Sequence, residues 1–174
     1  MMPKHDPEFN SRSVHSLDGK ARLIVPTRLR IQTGEIEERI GFWLTRGPNN
    51  CITLHTPDGW AQIKGRLKDD ELPFLTDKRR AFNRLFFSDA NYCPCDPQGR
   101  LTIPTDLKAY AKIDKEVILV GAGSYAEIWD VKLWQQYYER ESPRYDELLN
   151  ELRNDAETLP QTSRPAEAGQ TTTS

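Results

Sequence analysis

The chain has 174 residues, of which 37% are hydrophobic, and its 24 Lys and Arg nearly balance its 26 Asp and Glu. This composition favours a globular chain of one domain or two small ones. The longest apolar stretches, such as residues 117–123, are far shorter than a membrane-spanning helix, so we expect no membrane segment. Three cysteines are too few for a secreted disulfide framework, which favours a cytoplasmic protein. They are Cys51, Cys93 and Cys95.

Charge is distributed unevenly along the chain. The net charge of -2 gives no general attraction for polyanions, so any nucleic-acid surface has to be local. Basic side chains outnumber acidic ones in residues 1–30 and 60–88, and acidic ones predominate in the rest of the chain. A difference this small is also compatible with ordinary solvated faces, so the positions of the charges must decide.

An internal repeat organises the sequence. Residues 17–30 match residues 95–108 at a constant offset of 78, with Asp, Arg, Leu, Pro and Thr at equivalent positions. A later block matches at an offset of 74 and aligns Trp60 with Trp134. Self-similarity of this length predicts two copies of one supersecondary unit. The predicted layout is a disordered tail at 1–11, a first domain at 12–59, linker helices at 60–89, a second domain at 90–133, C-terminal helices at 134–153 and a disordered tail at 154–174.

Both copies predict the same order of elements. Apolar stretches on either side of a turn predict a β-hairpin, and the following proline favours the first position of a short helix. Two further strands and a capped helix complete each copy, with a tryptophan four residues after the cap as a core anchor. The first copy has strands 14–17 and 22–25, Pro26, strands 42–45 and 51–55, Thr56 and Trp60. The second copy has strands 92–95 and 100–103, Pro104, strands 117–120 and 125–129, Asp130 and Trp134.

Further helices are predicted between and after the copies. Residues 76–87 have an apolar face at helical spacing, and their arginines are expected at a helix surface or a subunit contact. Residues 131–141 and 143–153 predict two C-terminal helices. Pro143 ends the first of them and Ser142 caps the second.

The two turns of the repeat differ in their glycine. Residues 96–99 carry Asp first, Pro second and Gly fourth, which favours a type I turn followed by a left-handed residue. In the first copy, Ala21 occupies the position equivalent to Gly99. Either Ala21 adopts the left-handed conformation at a cost of about 1 kcal/mol, or a tight turn forms around residues 18–19.

The first copy is the more basic of the two. Its residues 19–34 contain four cations and no acid, whereas the equivalent residues 97–112 include an aspartate. A cation at Arg28, in the first turn of a helix, opposes the helix dipole, and a phosphate-binding surface would require such a placement. The alternative is an ion pair from Arg28 to Glu35, Glu37 or Glu38. The candidate DNA-binding residues are Lys20, Arg22, Arg28, Arg30 and, from the second copy, Arg100.

Each turn also carries an aspartate four residues before an arginine. Asp18 precedes Arg22 and Asp96 precedes Arg100 at the spacing of a pair across a short hairpin. One interpretation is that each pair only staples its turn. The other is that the arginine holds the aspartate with one edge and presents its remaining donors to a guanine or a phosphate.

These features resemble a known family. The hairpin followed by proline, with Asp and Arg four apart, is similar to the swapped-hairpin AbrB/SpoVT DNA-binding fold, and two such units in one chain resemble the MraZ family. The linker sequence at residues 80–87, the Glu127-Ile128-Trp129 stretch and the two tryptophan-bearing helices are also similar to that family. The resemblance covers about residues 12–150.

The resemblance implies a fold and a function. It implies an α+β, mainly β protein in which two tandem swapped-hairpin units form a double-psi-like β-barrel with flanking helices. It further implies a nucleoid-associated transcription regulator that uses no cofactor. Such a regulator forms a ring-like homo-oligomer on short direct repeats of double-stranded DNA, upstream of the division and cell-wall gene cluster that includes its own promoter.

The sequence also allows three other interpretations, namely a metal site, an enzyme and a scaffold. A metal site at Cys93 and Cys95 lacks a second pair of ligands, so buried apolar cysteines are favoured. An enzyme is not expected, because phosphate-loop, nucleophile-elbow and catalytic His spacings are missing from the sequence. A ring-forming scaffold that binds partners without DNA is the main alternative.

Overall fold

The computed structural model describes residues 9–33, 40–68 and 76–158. The first copy contains β1 Arg12–Ser16, β2 Arg22–Ile24, α1 Thr27–Arg30, β3 Gly41–Arg46, β4 Ile52–His55 and α2 Pro57–Lys68. Helix α3, Asp77–Ser88, links it to the second copy. The second copy contains β5 Asn91–Pro94, β6 Arg100–Thr102, α4 Thr105–Tyr110, β7 Glu116–Gly121, β8 Ala126–Asp130 and α5 Val131–Glu141, and α6 Tyr145–Thr158 follows. The two copies therefore have matching element orders.

Six strands form one antiparallel sheet in the order β1-β7-β8-β4-β3-β5. Strands β4 and β8 join the two copies at its centre, where Ile52 lies opposite Ile128. The first strand of each copy pairs with the third strand of the other copy, β1 with β7 and β5 with β3. The described strands thus make a mixed α and β fold with an open six-stranded sheet, not a single closed ring.

A separate two-stranded ribbon is formed by β2 and β6. Leu23 and Leu101 lie opposite each other at its centre, and both are completely buried. They belong to the same hydrophobic cluster as Leu44 and Leu119 of the large sheet. Period-two alternation therefore turns one face of the ribbon into the core and the other face outward.

The predicted hairpins are wrong in their pairing. Each turn is closed at its base, where the Asp18 N–H donates to the Arg22 carbonyl and the Asp96 N–H donates to the Arg100 carbonyl. Apart from an isolated bridge between Cys95 and Leu101 in the second copy, the two strands then separate, and each pairs with a strand of the other copy. An alternating pattern specifies the face that a strand buries, not its neighbour, so only the resemblance to a swapped-hairpin fold, and not the local pattern, implied an exchange of partners.

Most predicted helix caps are confirmed. The Thr56 hydroxyl accepts the Gly59 N–H at 3.1 Å, and the Asp130 carboxylate accepts two N–H groups at the start of α5. Trp60 is buried as predicted, whereas Trp134 is half-buried and packs edge-on to Trp129.

Both prolines that were expected at the first helical position lie one residue earlier. Pro26 has φ of -54° and ψ of 141°, and Pro104 has φ of -55° and ψ of 139°. Their ψ angles are extended, so helices α1 and α4 begin at the threonine that follows each proline. The fixed φ of proline suits either position, and ψ is what distinguishes them.

The ends of the described chain also differ from the prediction. The sequence predicts a disordered tail at Phe9, but this residue is completely buried and forms an isolated antiparallel β-bridge with Gly123. Helix α6 continues to Thr158, five residues beyond the predicted end. Ser142 does not cap α6, because it begins a 3-10 turn, Ser142–Arg144, whose N-cap residue is Glu141.

The described chain divides into two units, one up to Gln135 and one from Gln136 onward. The first contains the sheet, the ribbon and the core, and the second contains the rest of α5 together with α6. Among the described helices, none is both long enough and apolar enough to cross a lipid bilayer.

Candidate nucleic-acid interface

The two turns that follow β1 and β5 share one hydrogen-bond network. In the first turn, one carboxylate oxygen of Asp18 accepts the N–H groups of Lys20 and Arg22 at 2.9 and 3.0 Å. Its other oxygen accepts Nε of Arg22 at 2.6 Å. The aspartate therefore fixes the turn backbone and the arginine side chain together.

The second turn repeats this network with nearly the same distances. Asp96 accepts the N–H groups of Gln98 and Arg100 at 3.0 and 2.9 Å, and Nε of Arg100 at 2.7 Å. The Arg100 guanidinium also donates to the side-chain oxygen of Gln98 at 3.0 Å. The predicted Asp–Arg pairs are confirmed in both copies.

The left-handed position of each turn is now defined. Ala21 has φ of 55° and Gly99 has φ of 75°. In both turns the N–H of this residue donates to the carbonyl of the aspartate three residues earlier. The alternative turn around residues 18–19 is therefore excluded, and Ala21 adopts a conformation that costs an L-residue about 1 kcal/mol.

The two Asp–Arg pairs form one cluster on the ribbon. The Arg22 guanidinium lies 3.7 Å from the Asp96 carboxylate, in addition to its bond with Asp18. The side chains of Arg22 and Arg100 keep 26% and 31% of their exposure, so each pair is accessible from solvent. We call Asp18, Arg22, Asp96 and Arg100 the turn cluster.

Electrostatics keeps the two carboxylates of the turn cluster ionised. The pKa of Asp18 is lowered chiefly by the hydrogen bond from the Arg22 N–H. The Lys20 N–H and the Arg22 guanidinium lower it further. Desolvation by itself raises the pKa of Asp96, but the Arg100 N–H and guanidinium outweigh it and lower that pKa. The cluster is therefore neutral overall, and a positive surface has to come from cations around it.

Lys20 and Arg28 are two such cations. Within the described ranges, the Lys20 ammonium has no hydrogen-bond or ion-pair partner and is exposed. The Arg28 guanidinium donates to the Asn10 carbonyl at 3.2 Å, to the Ser11 hydroxyl and to the Ser13 hydroxyl at 3.3 Å. All three of these partners are neutral, so within the described residues the charge of Arg28 is oriented by uncharged groups.

Arg30 is placed differently from the other predicted cations. Its guanidinium donates to the Val25 carbonyl at 3.1 Å and to the Thr27 hydroxyl at 3.0 Å. It also covers the second turn, since a Cβ built on Gly99 would lie 2.8 Å from its Cζ. Arg30 therefore packs against the second turn and also adds positive charge near it.

Of two alternatives from the sequence, only the one at the cysteines can be compared with the geometry. The acidic partners considered for Arg28, namely Glu35, Glu37 and Glu38, lie outside the described residues. Cys93 is buried and Cys95 is half-buried, and burial raises the pKa of both thiols to about 11. Neutral, desolvated thiols agree with the interpretation of these cysteines as apolar side chains.

The sequence matches the family model "MraZ protein, putative antitoxin-like" twice, over residues 9–85 and 86–154. The chain is 38% identical over 138 residues to the transcriptional regulator MraZ of Moorella thermoacetica, which covers 79% of this chain and 92% of that protein. The MraZ regulator of Alkaliphilus metalliredigens is 40% identical over 138 residues, with the same coverage. The chain belongs to the MraZ family. The family resemblance seen in the sequence is thereby confirmed, and the two matches of the MraZ model correspond to the two copies of the repeat.

Several residues of this surface were not found by sequence reasoning. Ser11 and Ser13 orient Arg28, and Ile24 and Thr102 occupy the outward face of the ribbon between the two arginines. The alternation in β1 and β2 could have indicated which side chains face outward. The approach of Arg22 to Asp96 depends on strand exchange between the copies, and no local signal reports it.

Proposed function

We propose that this MraZ-family chain is a transcription regulator that binds double-stranded DNA through the outward face of the β2/β6 ribbon. The observation that carries the proposal is the register of the ribbon. Arg22 lies opposite Thr102, and Arg100 lies opposite Ile24, so the two arginines are related by a pseudo-twofold axis through the Leu23–Leu101 pair.

The dimensions and chemistry of this face suit a groove of DNA. The major groove admits a two-stranded β-ribbon, and arginine is the side chain that most often reads guanine there. Each arginine is held at Nε by its aspartate, which leaves donors on the guanidinium for a base or a phosphate. Ile24 is 58% exposed between them and offers an apolar contact of the kind made with thymine methyl groups.

The cations around the ribbon favour the first copy as the stronger half of the surface. Lys20 and Arg28 add charge beside Arg22, whereas Gln98 and Asp106 occupy the equivalent positions beside Arg100. Phosphate contacts position a protein on DNA, and base contacts specify the sequence. We assign Lys20 and Arg28 to phosphates, Arg22 and Arg100 to base edges or phosphates, and Arg30 chiefly to the support of the second turn.

The finer architecture belongs to the same proposal. We propose that the ribbon and the six-stranded sheet act together as the barrel of two swapped-hairpin domains at residues 12–59 and 90–133, with the ribbon covering one side of the core. Family resemblance further supports a ring-like homo-oligomer. Such a ring would act in the cytoplasm on nucleoid DNA, at direct repeats upstream of a division and cell-wall gene cluster that includes its own promoter.

Fluorescence anisotropy tests the DNA proposal directly. The probe is a labelled duplex from the region upstream of the chain's own coding sequence, titrated at several salt concentrations beside a scrambled duplex. Where Arg22 or Arg100 reads a base, its replacement by alanine is expected to weaken binding to the specific duplex by roughly 5- to 150-fold. Arg153→Ala, an exposed arginine on α6, is the matched control and is expected to bind like the wild type.

Two outcomes would contradict this assignment. Equal affinity of the wild type for the specific and scrambled duplexes would remove sequence recognition. Wild-type affinity in folded Arg22→Ala and Arg28→Ala variants, with loss only in Arg100→Ala, would place the reading surface in the other half. A chain that forms a large oligomer by light scattering yet binds neither duplex would instead support the scaffold alternative.

A further inference from the structure

The structure contains an apolar groove of about 410 Å³, lined mostly by aromatic and aliphatic side chains. The lining includes Ile63 of α2, Phe82, Leu85 and Phe86 of α3, His55 at the end of β4 and Tyr125 just before β8. We call it the aromatic groove. Its volume is in the range of small-molecule sites in proteins.

The walls of the aromatic groove are fixed by polar contacts. The Thr45 hydroxyl donates to the Phe86 carbonyl at 2.7 Å, which holds α3 against β3. Arg46 forms an ion pair with Asp89 just after α3, and its guanidinium lies 4.7 Å from the centre of the Tyr110 ring. The groove is therefore preformed, and a ligand would not have to order its walls.

A row of stacked rings ends in this groove. Trp43 stacks on Trp60 with centroids 5.1 Å apart, Trp60 stacks on Phe86 at 5.6 Å, and Phe86 stacks on Phe82 at 5.4 Å. The interplanar angles are 13°, 23° and 17°. Phe82, the last ring of the row, is 48% exposed. A further planar ring would continue this stack and cover that surface.

His55 supplies a polar group at the groove. Its side chain is only 5% exposed, and within the described part of the chain it has no hydrogen-bond partner. Burial lowers the pKa of His55 to about 4, so the ring is neutral at pH 7 and carries one donor and one acceptor. The His55 ring lines both the aromatic groove and the cleft beside it, so its nitrogens are available to a polar group of a bound molecule.

A cation lies beyond the histidine. A second cleft of about 340 Å³ adjoins the aromatic groove, since His55, Ile63 and Tyr125 line both of them. Arg66 lines this second cleft from α2 and is exposed, and within the described ranges it has no ion-pair partner. Along this surface, the row of aromatic rings is therefore followed by the neutral ring of His55 and then by the positive charge of Arg66.

We propose that the aromatic groove and its adjoining cleft bind a small planar aromatic anion. Its ring stacks on Phe82, a polar substituent pairs with His55, and its carboxylate or sulfonate contacts Arg66. The site is separate from the turn cluster in its residues and does not depend on the DNA proposal.

The test uses two fluorescent probes that differ in charge. 8-Anilinonaphthalene-1-sulfonate is an aromatic anion, and N-phenyl-1-naphthylamine is its uncharged counterpart. The full chain is expected to bind the anion saturably with one probe per chain. Arg66→Ala is expected to weaken the anion about fivefold and leave the uncharged probe unchanged. Leu85→Glu and Phe82→Ala, both at half-exposed positions, are expected to weaken both probes.

Leu152→Glu is the matched control, because Leu152 is an exposed leucine on α6. It is expected to leave both probes unchanged, and melting curves confirm the fold of each variant. Non-saturable binding, or equal losses in Leu152→Glu and Leu85→Glu, would overturn the proposal. An anion affinity that falls as protein concentration rises would also overturn it, since a second copy would then occupy the groove.

Discussion

The two turns of the repeat make the same hydrogen bonds with different residues. Asp and Arg are identical in both, and their distances agree within a few tenths of an ångström. Lys20 and Ala21 of the first turn are replaced by Gln98 and Gly99 in the second. The fold therefore requires the Asp–Arg pair, and the two copies diverge in the residues between the aspartate and the arginine.

The divergence continues into the helix after each ribbon strand. Asp106 lies in the first turn of α4, where the helix dipole favours an acid. Its counterpart Arg28 opposes the dipole in α1 and is instead oriented by serines of the N-terminal strand region. The second copy therefore follows the preference of the helix dipole and the first carries more positive charge, so the copies differ in charge although they are alike in fold.

The largest predicted difference between the copies is their response to acid. His55 ends β4, and the equivalent residue at the end of β8 is Trp129, at an offset of 74. The pKa of His55 is about 4 in the folded chain and about 6.5 when unfolded, so the unfolded state takes up a proton first as the pH falls. The free energy of unfolding should therefore decrease by about 3 kcal/mol between pH 6.5 and pH 4.

Urea denaturation at several pH values measures this effect. His55→Phe keeps an aromatic ring at this position and removes the titrating group. It should therefore flatten the pH dependence of the free energy of unfolding between pH 6.5 and pH 4. The carboxylates of the turn cluster and His15 titrate in both proteins, so their effects cancel in the difference. Parallel pH curves for the wild type and His55→Phe would refute the prediction.

The next largest effect is expected at Gly99. Replacement by alanine should destabilise the chain by about 2 kcal/mol, because φ is 75° and the new Cβ would meet the Arg30 guanidinium. Arg30 cannot move away freely, since it is bonded to Val25 and Thr27. Thermal melting measures the loss. An unchanged melting temperature would mean that the two turns tolerate a side chain equally.

A reciprocal exchange tests the proposal that Lys20 makes the first turn bind DNA more strongly than the second. Lys20→Gln should weaken binding to all duplexes alike and reduce the salt slope by about one unit per subunit, because one phosphate contact is lost. Gln98→Lys should increase the slope by a similar amount if the two turns approach DNA symmetrically. Anisotropy titrations over a salt series distinguish the cases, and a slope unchanged in both variants would remove Lys20 from the interface.

Sequence reasoning was most successful where the signal is local. The strands, the caps at Thr56 and Asp130, and the linker helix follow from alternation, capping chemistry and helical spacing. The Asp–Arg pairs were predictable for the same reason, since four residues span one turn. Each of these features is decided within a few residues of chain.

The features that were missed depend on partners distant in the sequence. The burial of Phe9 against Gly123 and the contact between Arg22 and Asp96 are both set by tertiary packing. Strand exchange between the copies is set in the same way, and only the resemblance to a swapped-hairpin fold implied it. The conformation of the first turn was only partly predictable from the sequence. A left-handed alanine is locally unfavourable, which favoured a different turn from the one observed. Interactions of the Asp18 carboxylate with the turn backbone outweigh that cost.

The smallest predicted effect is the relief of this cost at Ala21. Ala21→Gly should stabilise the chain by no more than about 0.5 kcal/mol, since the strain of a left-handed L-residue is removed but the extra entropy of glycine in the unfolded chain offsets much of the gain. Gly19→Ala is the control in the same turn, because a Cβ there meets nothing within 4 Å and the residue has no left-handed φ. That substitution should be neutral or slightly stabilising. Urea denaturation of the two single variants measures both effects. If Ala21→Gly destabilised the chain, the alanine side chain would be supplying a contact that the glycine of the second turn lacks, and the two turns would differ in packing as well as in charge.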